Sequence, residues 1–426
     1  MPHAWLPVKT MLSHLRPIPG SKSYIRAIVV AQMLAQIGAF ALPALLPDYI
    51  DRWALSKTEA GWLIGIFFAA YVMMVPVLVA LTDRVPERRV YLLGTGLTAI
   101  SHIGFALIAD GFWLGFLLRV LAGIGWAGTY MPGLKAIADP LEGMAQSRAV
   151  SWHAAGVGIS GAASFAIAGL IGNWGGPTAA FLLGGSTALA SMLLAAFIMP
   201  ARLAKLATGK ASPRRLLDFR PVLRNRAAMG WIIGYTVHTW ELAALRAWGV
   251  TFLAAAAATN GVPYWLPEPT TLFTLAGLAG IAVSITGNET AQRWGRARVV
   301  TAAMLTAAAL SLVTGWCAAL SAPVAALLVV LWNAAIYFDS SALTAGTVQA
   351  ADKELRGATM GLHSMCGYAG GFLGPLGVGF VLDHFPGFPG WGLAFGHLAL
   401  VTLPGLVLLR RVAVRSAPRT PAPAVI

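Results

Sequence analysis

Long apolar runs separated by short polar breaks constrain this chain more than any other feature. Only 11% of its 426 residues are charged, against roughly a quarter in an average soluble domain. Thirty basic and sixteen acidic side chains cannot cover the two or three soluble domains that this length would form. A soluble globular protein is excluded, and the chain reads as an all-α integral membrane protein. Cys317 and Cys366 lie inside apolar runs, so neither a disulfide framework nor a zinc site is expected. No cleavable leader is expected either, because the first apolar run is long enough to span rather than be clipped.

A bilayer core of ~30 Å takes about 20 helical residues. Twelve runs meet that length, near 24–46, 62–81, 90–109, 112–137, 148–171, 178–199, 228–257, 271–288, 299–320, 324–350, 357–382 and 392–409. With the N-terminus inside, 26 of the 30 basic residues fall in cytoplasmic segments. Arg52 and Lys57 lie outside, and Arg119 and Arg246 lie within spans. This asymmetry follows the positive-inside rule, so both termini are expected in the cytoplasm. The net charge of +14 then reports topology, and nucleic acid is not expected as a partner.

The connection from Arg202 to Arg226 is the longest and carries eight bases. It is expected to be a solvated linker, with a short surface helix after Ser212-Pro213 or contact with anionic lipid as alternatives. The expected organisation is a tail at 1–23, a six-helix bundle at 24–200, a linker at 201–227, a second bundle at 228–409 and a tail at 410–426.

The halves repeat one another. Arg84 and Arg293, Arg89 and Arg298, and Val90 and Val299 all pair at an offset of 209, and Arg148 pairs with Arg356 at 208. Spans 5 and 11 are both glycine-rich, through Gly156, Gly158 and Gly161, then Gly367, Gly370, Gly371 and Gly374. Two parallel six-helix halves are expected.

With these features the sequence resembles the major facilitator superfamily over essentially its whole length. That family carries G-x-x-x-D-R-x-G-R-R between spans 2 and 3. Asp83 and Arg84 match it, while Val79, Pro86 and Glu87 depart from it. The second copy keeps Arg293, Gly295 and Arg296 but has Gln292 where the acid would stand. Arg119-Val120-Leu121-Ala122-Gly123-Ile124-Gly125 matches the family's span 4 signature R-x-x-x-G-x-G. The resemblance implies two rocking bundles and a central cavity lined by spans 1, 4, 7 and 10. It implies gating roles for Asp83, Arg84, Arg293 and Arg296, with Asp83 set against the positive N-terminal end of span 11 while the outside is open.

Ionisable groups within spans are costly to insert and are functional candidates. In span 4, Arg119, Trp126 and Tyr130 fall within about 60° of one another, a cation beside an aromatic wall. The alternative for Arg119 is a brace on backbone carbonyls. In span 7, Tyr235 and Arg246 point the same way, His238 lies about 80° from Arg246 and Glu241 about 140°. Glu241 is read as a proton carrier beside His238 or as a neutral acid bonded to another helix. In span 10, Asn333 and Tyr337 share a stripe with Thr344, and Asp339 lies more than about 100° off it. Asp339 is read as a proton site or as a partner for a cation on span 11 or span 4. Gln32 and Gln36 share a face of span 1. His153 and His363 are read first as packing histidines. Trp53, Trp62, Trp113, Trp174, Trp265 and Trp391 stand near span ends, as interfacial tryptophans do. Trp126, Trp152, Trp240, Trp248 and Trp332 are deeper.

The expected function is secondary active transport of a small organic anion, coupled to protons, with Arg119 and Arg246 supporting the anion and Glu241, Asp339 and His238 the coupling. No P-loop is present and no cofactor or metal is expected. A drug exporter is the transport alternative, weakened because the Gly-Pro pair of that group's span 5 occurs here in span 11, as Gly374-Pro375. Nitrate porters share the glycine-rich spans but hold the anion with arginines in spans 2 and 8, which lack them here. A membrane enzyme or a receptor is the alternative of another class. A functional monomer in the cell membrane, the inner one in a bacterium, is expected.

Overall fold

A computed structural model describes residues 16–201, 218–317 and 319–411, in which every regular element is helical. In order these are α1 (Lys22–Gln36), α2 (Ala41–Ala44), α3 (Leu46–Arg52), α4 (Lys57–Leu81), α5 (Glu87–Leu107), α6 (Phe112–Ala138) and α7 (Gly143–Ile198). After α8 (Arg220–Arg224) come α9 (Arg226–Asn260), α10 (Pro269–Trp294), α11 (Arg296–Cys317), α12 (Ala322–Ala350), α13 (Arg356–His384) and α14 (Gly387–Leu409). Ten of them are long and apolar enough to cross a membrane. The linker bases from Arg202 to Arg215, the helix expected after Ser212-Pro213 and most of both tails lie outside the described residues.

Spans 5 and 6 part where the sequence places their boundary, and span 1 differs from the sequence expectation. The 56-residue α7 leaves helical geometry at Gly176 (φ 75°, ψ 174°), just before Pro177. Fifty-six residues on one axis would reach about 84 Å, far beyond a bilayer, so the break lets spans 5 and 6 run as two. Span 1, read as one helix, is broken between Gln36 and Ala41. Freed backbone groups inside a membrane need partners, and other helices supply them. The Gly38 carbonyl meets His102 Nε2 at 3.0 Å, and the Phe40 N–H donates to Ser164 Oγ at 3.0 Å.

Lipid tails are as apolar as leucine, so helices associate through close packing of small residues. A methyl group on Gly94 of α5 would lie 2.6 Å from the Gly128 backbone of α6. Large apolar side chains such as Met73, Ile100 and Leu193 remain on the outside, where lipid would cover them.

The two halves meet along α4 with α13 and α7 with α10, and the ends of this junction differ. Around Lys57 one core runs through both halves, joining Leu46, Tyr49, Leu63 and Phe181 to Trp248, Phe252, Trp332 and Phe395. At the end that carries Asp83 the core divides. Tyr24, Ile28, Tyr91 and Ile137 form one cluster within the first half; Val300, Leu343 and Leu409 belong to another within the second. Named contacts between halves reach Tyr71–Tyr368 and Gly158–Ile281. The protein is shut at its Lys57 end and parted at its Asp83 end. Trp391, expected at an interface, is instead 8% exposed within the shut core, where Gly315 and Gly392 let α11 and α14 approach closely.

A carboxylate bridges the halves at the shut end. Asp383 Oδ1 and Oδ2 each accept a backbone N–H, from Lys57 and Thr58, at 2.7 Å. These are unpaired donors of the first turn of α4, where the helix dipole also favours an anion. Lys57→Pro would remove one donor at a position where proline suits a helix, after an already extended Ser56. In a background without Cys317 and Cys366, Lys57→Pro and Asp383→Asn should each speed maleimide labelling of Ala243→Cys. A charge-assisted bond worth about 1.5–3 kcal/mol corresponds to roughly tenfold or more. Combining the two should add little further.

Candidate functional site

A small void of about 10 Å³, room for about one water, lies where the shared core ends. It is lined by Ala39, Phe40 and Pro43 at the broken span 1, Ile64, Phe67 and Phe68 of α4, Arg119 of α6, and Ala243, Arg246 and Ala247 of α9. The two intramembrane cations therefore face one space, one from each half. Arg119 is 2% exposed, its Nε donates to the Leu63 carbonyl at 3.2 Å, and its guanidinium lies 4.8 Å from the Phe67 ring. The brace on a backbone carbonyl and the cavity position coexist. Arg246 donates to the Tyr337 hydroxyl and lies 5.3 Å from the Phe40 ring. Among the described residues no carboxylate pairs with either arginine. Trp126 packs edge-on against Phe67 at 5.0 Å, and its buried indole N–H has no protein partner.

The intramembrane acids are engaged elsewhere. Asp339 Oδ1 lies 2.7 Å from His238 Nδ1, and both residues are buried. The partner of Asp339 thus stands on span 7, correcting the expected partner on span 11 or span 4. Glu241 Oε1 accepts the Trp332 indole N–H at 2.6 Å. Each pair joins α9 to α12, about one turn apart on α9 and two on α12. Helix-wheel angles give the face of a residue on its own helix but not its neighbour's position, which is why Trp332 was not identified as the partner.

The other candidates divide. Asn333 Nδ2 donates to the Ala276 carbonyl of α10 at 3.0 Å, so its amide serves helix packing. Tyr235 stacks on His363 at 3.8 Å and lies 5.6 Å from His238. His363 in turn meets Thr347 Oγ1 at 3.1 Å, whereas His153 has no protein partner on either nitrogen. Gln36 Oε1 accepts from Ser160 Oγ at 3.3 Å, and both polar atoms of Gln32 are buried without a partner. Tyr130 lies 5.4 Å from the His153 ring.

In the gating loop, Asp83 pairs with Lys135 of its own half at 2.8 Å, and Lys135 also reaches Glu87 at 3.6 Å. Arg84 and Arg293 are exposed, and Arg296 donates to Gln349. With the halves parted at this end, Asp83 is held within one half. Among the described residues no three His, Cys, Asp or Glu side chains converge as a metal site requires.

The family model of the Major Facilitator Superfamily matches residues 28–375. The chain belongs to that superfamily. An uncharacterized MFS-type transporter of Bacillus subtilis, YwoD, is 28% identical over 182 residues, 42% of this chain and 39% of its own length. Protein spinster homolog 1 of Homo sapiens is 24% identical over 285 residues, 63% of this chain and 53% of its own. The chain spans about two fifths to a half of the length of these curated relatives. Among solved structures, the nucleoside transporter NupG superposes with a TM-score of 0.74 at 14% identity, covering 91% of this chain and 98% of that one. A bacterial homolog of the human lysosomal transporter spinster, inward-facing and occupied, gives 0.72 at 18%, covering 95% and 100%. These likenesses show a major facilitator fold in a multi-pass membrane protein.

Sequence reasoning missed Tyr71 and Tyr368, whose rings meet between the halves at 4.3 Å. It weighed only spans 1, 4, 7 and 10 for the cavity, and these tyrosines stand on spans 2 and 11. It also missed Lys135, the partner of Asp83, whose one signal was a lone base near the C-terminal end of span 4. Removing one partner of a buried ion pair costs about 3–5 kcal/mol. His238→Leu should therefore lower unfolding stability in detergent by about that much, and Asp339→Asn in the same background should recover most of it.

Proposed function

We propose that this major facilitator protein moves a small organic anion across the cell membrane by alternating access, driven by protons. Counting the broken first span and both parts of α7 gives twelve spans, in two bundles with both termini in the cytoplasm. The Asp83 end is then cytoplasmic and the structure opens inward. The protein acts as a monomer, in the inner membrane if it is bacterial.

One observation carries the substrate class. Arg119 and Arg246, from opposite halves, line one aromatic cavity, and the acids that could neutralise them are bound to His238 and Trp332. A desolvated cation without a counter-ion favours an anionic ligand. Phe40, Phe67 and Phe68 around it suit a flat apolar body. NupG is described as a nucleoside transporter and the spinster homolog only as a transporter, so the substrate class is argued from the cavity and not from likeness.

His238–Asp339 and Glu241–Trp332 support the coupling. A buried His–Asp pair can take up and release a proton while the hydrogen-bonded network around it stays in place. Its position between α9 and α12, about two turns from Arg246 along α9 and two residues from the Arg246 partner Tyr337, lets that proton bear on the cavity.

In proteoliposomes, benzoate uptake should rise with an inward proton gradient. Arg119→Gln and Arg246→Gln should each reduce it at least tenfold, the scale for losing a charged hydrogen bond to the solute. Asp339→Asn should abolish gradient-driven accumulation while leaving benzoate exchange measurable. Uptake indifferent to the gradient would remove the coupling. Faster transport of a lipophilic cation by the arginine variants would favour the exporter.

A further inference from the structure

Below the arginines, towards the parted end, four tyrosines converge from four helices. They are Tyr71 of α4, Tyr130 of α6, Tyr235 of α9 and Tyr368 of α13, two from each half. Tyr71 and Tyr368 touch at 4.3 Å between ring centroids and share one packed cluster with Trp126. Tyr368 and Tyr235 both lie in the field of the Arg246 guanidinium, and each phenol of the four lies in the field of another. Tyr130, Tyr235 and Tyr368 each keep part of their surface exposed.

Guanidinium and indole groups only donate, and a phenol can donate as well as accept. The Trp126 indole N–H is buried without a protein partner. The carboxylates near these groups are already taken by His238 and Trp332. A buried indole N–H left unmet is costly, so a bound solute that brings an acceptor gains there.

We propose that Tyr130, Tyr235 and Tyr368, with the Trp126 indole, form a second subsite that selects a flat acid carrying a neutral acceptor opposite its carboxylate. This rests on the anion reading of the arginine cavity and adds the chemistry of the solute's far end. The acid meets Arg119 and Arg246; a carbonyl, ether or ring nitrogen at the other end meets the phenols. The hydroxyls come from both halves, so a solute held there joins the halves nearer their parted end than the shared core does.

Three matched probes test this by calorimetry on the purified full chain: benzoate, 4-acetylbenzoate and benzylamine. The acetyl carbonyl should tighten binding about fivefold over benzoate, the scale of one added neutral hydrogen bond. Tyr235→Phe and Tyr368→Phe keep the rings and should each reduce that advantage, and together they should erase it while leaving benzoate affinity within twofold. Tyr264→Phe, on a fully exposed side chain, should change nothing. If both acids bind and the acetyl advantage is absent, or survives the double variant, the tyrosine subsite is wrong and the arginine cavity stands. If benzylamine binds and neither acid does, the anion reading falls and takes the subsite with it. Failure of all three to bind also counts against both.

Discussion

Every polar group placed inside a bilayer must find its partner within the protein, because lipid offers none. That requirement explains the parts of this structure that depart from plain helices. Span 1 can break at Gly38 because His102 and Ser164 reach across to its freed backbone groups. The first turn of α4 lies at the junction of the halves with its N–H groups met by Asp383. The acids of α9 and α12 sit deep because each has a donor on the facing helix. Two arginines without a carboxylate partner among the described residues line the cavity.

The same solvent weakens the hydrophobic contribution between helices, so shape decides where they touch. Small residues let α4 meet α13 and α7 meet α10 closely, and a single core grows across both halves around Lys57. At the other end the halves keep separate cores and part. A closed end and an open end within one pair of bundles is the asymmetry that alternating access requires, and the arginine cavity lies at its boundary.

Much of the site could be read in advance, though unevenly. Arg119 and Arg246 stood out because a charge in an apolar run is expensive wherever it points, and both reach the cavity. His238, Glu241 and Asp339 stood out for the same reason, but their pairing did not, since each bond crosses from α9 to α12. Asn333 shared a stripe with Tyr337, yet its amide went to the Ala276 carbonyl, a neighbour 57 positions away. Tyr71 and Tyr368 gave no comparable signal. A tyrosine near the middle of a span costs little to bury, and nothing local distinguishes a ring facing a cavity from one facing lipid.

Charge scarcity, run length, the placement of basic residues and an offset of 209 are properties of the chain alone. They determined a helical membrane protein of two repeated halves, because insertion energies act residue by residue along each segment. Which helices touch, where span 1 breaks, which acid meets which donor and which end is shut were decided only in three dimensions. Those outcomes depend on hydrogen bonds and close packing between segments far apart in the sequence, and the spacing of residues along one helix carries no record of its neighbours.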